Sequence, residues 1–79
     1  MKLTYDPVAN IAYIQLRKKS AKVNTVRVSD ELNVDMAADG SIYGIELLNA
    51  NEQLSADRRK AIVVENEASG ESAEIALAV

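Results

Sequence analysis

A chain of 79 residues, 48% hydrophobic and 27% charged with a formal net charge of -3, has the length of one small domain. A domain of this size buries only about 60–65% of the surface its unfolded form exposes, so a second copy is a natural source of missing burial. The acidic balance disfavours non-specific binding to phosphate backbones, and the absence of Cys and His removes disulfides, zinc–thiolate sites and the usual partners of a serine nucleophile.

Lys2 to Tyr5 alternates polar and apolar residues until Asp6-Pro7 stops it, Pro pre-setting φ for a turn and Asp capping the turn backbone. Ile11 to Arg17 is β-branched and aromatic, and period two puts Ala12, Ile14 and Leu16 on the face assigned to the core, opposite Ile11, Tyr13, Gln15 and Arg17. Arg17-Lys18-Lys19-Ser20-Ala21-Lys22 is a cationic loop. Alternation resumes from Val23 to Ser29, with Val26 and Val28 alike in direction. A bulge or tight turn is expected at Asp30-Glu31, before Leu32, Val34 and Met36 restore an apolar face.

Ala37-Ala38-Asp39-Gly40 has the pattern of a type I turn followed by a glycine bulge. The next strand, Ser41 to Leu48, contains Gly44, which in a strand marks a bulge or the close approach of another group. Asn49-Ala50-Asn51 ends the sheet, with Asn51 or Ser55 as the cap of a short helical turn. Ala61-Ile62-Val63-Val64 is too β-branched to favour helix, so it pairs with Ala73 to Val79 across Glu67-Ala68-Ser69-Gly70 as a C-terminal hairpin. A helix over 55–66 ranks second, because its apolar stripe is poor. The whole reads as a single β-rich α+β domain over 1–79: an antiparallel meander of four to six strands with one short helical turn. Residues 1–50 form a tandem-hairpin sheet, and 51–79 supply the turn and the last hairpin.

Two sets of residues carry a resemblance: Tyr5-Asp6-Pro7 with Ala9, Tyr13, Ile14 and Leu16, and Val34-Asp35 with Asp39-Gly40 and Gly44-Ile45-Glu46-Leu47-Leu48-Asn49-Ala50. Together they resemble an uncharacterised bacterial family, the domain-of-unknown-function family twenty-two eighty-three, over roughly Met1 to Asn51. The resemblance implies a small β-rich fold and brings no activity. Some relatives of that family sit beside small toxin-like genes, which implies as one alternative that this chain is the antitoxin-like binding partner of a small protein such as a toxin. Asn10 stands where the family usually carries Asp, and Met36-Ala37 replaces its aromatic-Asp pair.

Asp6, Asp30, Asp35, Asp39 and Glu46 are the acids that a hard-cation site would draw on, but they lack ligand spacing, and Asp-Pro and Asp-Gly are foremost turn formers. Asp35 and Glu46 are expected to pair with Arg17 or Arg27 across strands. No catalytic, cofactor-binding or metal-binding residue is assigned, and no cofactor is expected. The run from Arg17 to Lys22, and likewise Arg58-Arg59-Lys60, reads as solvated surface ahead of a weak nucleic-acid contact. Ile62, Val64, Ile75, Leu77 and Val79 form the candidate partner interface, on a hairpin that reads as apolar on both sides. The expected role is non-catalytic association of a cytoplasmic protein with itself, as a dimer. A small protein partner is the alternative; neither a signal-peptide-like apolar run nor a membrane span is visible.

Overall fold

A computed structural model describes residues 1–18 and 22–78. The elements run β1 (Lys2–Asp6), β2 (Ile11–Gln15), β3 (Asn24–Ser29), β4 (Leu32–Met36), β5 (Ile42–Leu48), α1 (Ala50–Gln53), β6 (Ala61–Glu65) and β7 (Ser72–Ala76). They form a five-stranded antiparallel sheet in the order β1-β2-β5-β4-β3 and a separate two-stranded sheet, β6-β7. The first hairpin joins the β3-β4-β5 meander through β2 and β5, so the cationic loop is a crossing connection; Lys19, Ser20 and Ala21 within it lie outside the described residues.

Register explains why the sheet has two unlike faces. One row of directly opposed residues runs Leu3, Ile14, Ile45, Val34, Val26 from edge to edge, all aliphatic; the next residue along each strand gives the row Thr4, Tyr13, Glu46, Asn33, Arg27 on the other side. Alternation in sequence has thus become separation in space. Of the three residues assigned to the core, Ala12 is buried and Ile14 half-buried on β2, whereas Leu16, just past its end, is exposed. Two irregularities break the ladder, one between Arg27 and Ser29 on β3 and one where Asp35 and Met36 meet Gly44 and Ile42. The turn expected at Asp30-Glu31 links β3 and β4.

The Asp39-Gly40 turn forms as its residues dictate: Ala37 N–H donates to the Ser41 carbonyl at 2.7 Å, and Gly40 takes φ +89°. Asp39 Oδ1 accepts from the Ser41 hydroxyl at 2.6 Å and from its N–H at 2.9 Å. The hydroxyl bond first, then the backbone bond, hold the Asp39 carboxyl below its ordinary value. A depressed folded-state pKa stabilises above the unfolded value, and that contribution is lost as pH falls through the folded one. In a carbon-detected NMR titration Asp39 should therefore show a midpoint below that of ordinary carboxylates, and Ser41→Ala should raise it. An unmoved midpoint in Ser41→Ala would remove the hydroxyl as the cause.

Asn49, not Asn51 or Ser55, precedes α1; it sits in the left-handed region at φ 52° and makes no side-chain cap bond. The side chains named by the capping expectation act elsewhere. Tyr5 Oη donates to Asn51 Oδ1, Asn51 Nδ2 donates to the Pro7 carbonyl at 3.3 Å, and Ser55 Oγ donates to the Asn51 carbonyl at 2.7 Å. Asn10, also left-handed at φ 60°, receives Ala50 N–H on its carbonyl at 3.1 Å and Asn51 N–H on Oδ1 at 2.6 Å. The first turn and the helix are therefore one stapled unit, and Ala12 and Ala50 are fully buried. The helix considered for 55–66 does not form: 54–57 is a turn, 58–60 is irregular, and β6 begins at Ala61. Arg58 and Lys60 in that segment adopt φ 64° and 53°, a conformation costing about 1 kcal/mol or more for a side chain with a Cβ.

Candidate association surface

The polar face closes on itself. Gly44 lets the Tyr13 ring lie flat across β5: a Cβ at that position would come within 2.3 Å of the phenol oxygen and 2.4 Å of Cζ. The ring so placed donates its hydroxyl to Asp35 Oδ2 at 2.8 Å, and Thr25 Oγ1 donates to Asp35 Oδ1 at 2.7 Å. Asp35 is only 8% exposed, so these bonds replace the water it gave up. Glu46 accepts from Asn33 Nδ2 at 3.0 Å, where the expectation was an arginine partner. Arg27 pairs with Asp30, three residues along, at 2.7 Å, and Arg17 lies 5.7 Å over the Tyr43 ring. Tyr13, Asp35 and Gly44 were visible as motif residues, but only the register β2-β5-β4 shows that they are one device. Among the described residues no three acidic side chains gather closely enough to hold a metal ion, and no helix is long and apolar enough to cross a membrane.

The apolar face, by contrast, is left open. Leu3 and Ile14, with Met1, form one wall of a groove of about 550 Å³, whose other wall is Ile62 and Val64 of β6 with Ile75 and Leu77 beyond the turn. Ile62 lies directly opposite Ile75 and Val64 opposite Ala73, so period two brings these side chains to one face of the hairpin. Four of the five residues singled out as an interface are therefore adjacent; the fifth, Val79, lies outside the described residues. The reading of the hairpin as apolar on both sides is corrected by the same register. Its second face carries Ala61, Val63 and Ala76 but also Glu65, Ser72 and Glu74, and Arg59 ion-pairs with Glu74 at 2.9 Å. Met1 and Leu3 escaped the sequence reading because nothing local shows which part of the sheet the hairpin faces.

Among the described residues no large side chain is fully buried. Val64 and Ile75 remain 58% and 59% exposed beside the groove, and Val26 and Val28 are exposed on β3. Surface area makes the deficit quantitative. The chain exposes 5879 Å², whereas a globular protein of 8.6 kDa exposes about 4,700 Å². The radius of gyration is 14.0 Å, against about 11.6 Å for a compact domain of this length. A groove lined by apolar side chains can exclude water, but those side chains offer little with which to orient a small ligand.

The family described as Protein of unknown function (DUF2283) matches residues 2–51, and the chain belongs to it. That span covers β1 to β5 and the start of α1, and leaves out the hairpin that makes half of the groove. No curated protein and no solved structure matches the chain.

Proposed function

We propose that this protein is a non-catalytic association module whose partner is a second copy of itself, docked through the apolar face of the sheet and the groove side of the β6-β7 hairpin. The observation that carries the reading is the surplus of about 1,200 Å² of surface over a compact domain of equal mass. A standard interface takes about 800 Å² from each partner, so one isologous contact accounts for most of the surplus. The sheet edges are poorer candidates: β3 carries an irregularity beside Arg27, a device that discourages edge pairing. Charge favours a like partner as well. Lys2, Arg17 and Lys18 cluster where β1 starts and β2 ends, while Glu65, Glu67 and Glu71 surround the hairpin turn, so two copies offer each other opposite charges.

Sedimentation velocity with multi-angle light scattering tests the proposal. Wild-type protein should be a dimer at micromolar concentration. Ile75→Glu or Val64→Glu should raise the dissociation constant about 100-fold or more while leaving the circular dichroism spectrum of a folded β protein, because both side chains are more than half exposed in the single chain. A wild-type protein that stays monomeric from micromolar to millimolar concentration would end the proposal.

A further inference from the structure

We infer that the two copies exchange their C-terminal hairpins, each β6-β7 unit seating in the groove formed by Leu3 and Ile14 of the other chain, with residues 54–60 as the hinge. The inference rests on the self-association reading and adds its geometry. Three observations carry it. First, the hairpin is a sheet of its own, with no ladder to the five-stranded sheet; it meets the body across the apolar groove. Such a unit can leave without breaking strand pairing. Second, the chain between body and hairpin contains two residues with large side chains in the left-handed region, Arg58 at φ 64° and Lys60 at φ 53°. A hinge held in a strained closed turn is the common origin of exchanged dimers, since the extended form relieves the strain. Third, the fastenings of the hinge are local. Leu54, Ser55 and Ala56 N–H bond back to 50–53 and stay with the body, whereas the Lys60 carbonyl accepts from Leu77 N–H at 2.8 Å and Arg59 pairs with Glu74, so both travel with the hairpin. Between them Arg58 N–H donates to the Ser55 carbonyl at 2.9 Å and Arg59 N–H to Asp57 Oδ1 at 3.1 Å, bonds whose exposed donors water can serve.

The occupant of the groove follows from these facts. Ile62, Val64, Ile75 and Leu77 already face Leu3 and Ile14 across the groove within one chain, and a second chain brings the same four side chains to the same wall. Closed and exchanged forms share the walls of that groove; the exchanged form adds a contact between the two chains that covers the exposed sides of Val64 and Ile75, and the hinge sets the rest of the balance.

Mixing two defective full-length chains tests whether hairpin and groove meet between chains, and a hinge variant tests whether they do so by exchange. Leu3→Asp spoils the groove of its chain, and Val64→Glu/Ile75→Glu spoils the hairpin of its chain. Exchange between them builds one unit from an intact groove and an intact hairpin, so a one-to-one heterodimer should form in native mass spectrometry although neither variant dimerises alone. Failure of the heterodimer while wild-type protein still dimerises would overturn the exchange and leave self-association standing. A wild-type monomer would overturn both. Arg58→Gly/Lys60→Gly keeps the test decisive should Leu3→Asp not fold: glycine adopts the closed turn without strain, so the dimer dissociation constant should rise about tenfold or more. An unchanged constant counts against the hinge as the driver and overturns the inference.

Discussion

Gly44→Ala is expected to destabilise the fold by about 2–4 kcal/mol, a large effect for one methyl group in a strand. The added Cβ would sit 2.3 Å from the Tyr13 phenol oxygen and 2.6 Å from Cε1, so either β5 shifts or the ring swings away. A swinging ring surrenders its hydrogen bond to Asp35, a carboxylate too buried to recover solvent without further rearrangement. Urea denaturation at fixed protein concentration measures the loss. The sharper check is a double-mutant cycle: in a Tyr13→Ala background the ring is gone, and Gly44→Ala should become neutral or mildly stabilising because alanine is the better strand residue. Additive costs for the two substitutions would show that the ring does not constrain position 44.

Asn10→Ala should cost about 2 kcal/mol, from two sources of similar size. Alanine resists the left-handed φ of 60°, and the Asn51 N–H loses the acceptor it now reaches at 2.6 Å. Asn10→Asp should lie within about 0.5 kcal/mol of wild type: aspartate tolerates the same φ and keeps the acceptor, losing only the long 3.4 Å donation to Asn49 Oδ1. The side-chain oxygen that the amide and the carboxylate share does the structural work. Equal losses in the alanine and aspartate variants, by thermal or urea denaturation, would refute the assignment of the acceptor as the working atom.

The two stapled or stacked units, Asn10 with Asn51 and Tyr13 over Gly44 to Asp35, are assembled from residues 39 to 46 apart in the first case and 22 to 31 apart in the second. Their shared effect is to fix the five-stranded sheet as a platform, polar and internally satisfied on one side and apolar on the other. That asymmetry gives the proposed dimer its surface, and the hairpin outside the family match completes it.

Local chemistry by itself determined the strands, the turns and which side chains share a face. Asp6-Pro7, Asp39-Gly40 and the β-branched run at 61–64 act over a few residues, where period two and turn geometry leave little choice. Partners over longer separations were decided only in three dimensions. The pairing of β2 with β5 placed Tyr13 beside Asp35, gave Glu46 an asparagine where an arginine was expected, and made Asn49 the residue before the helix. The groove is the plainest case. Ile14 and Ile62 are unremarkable aliphatic residues in sequence, and whether aliphatic surface is covered depends on the total shape of the chain, which no local pattern encodes.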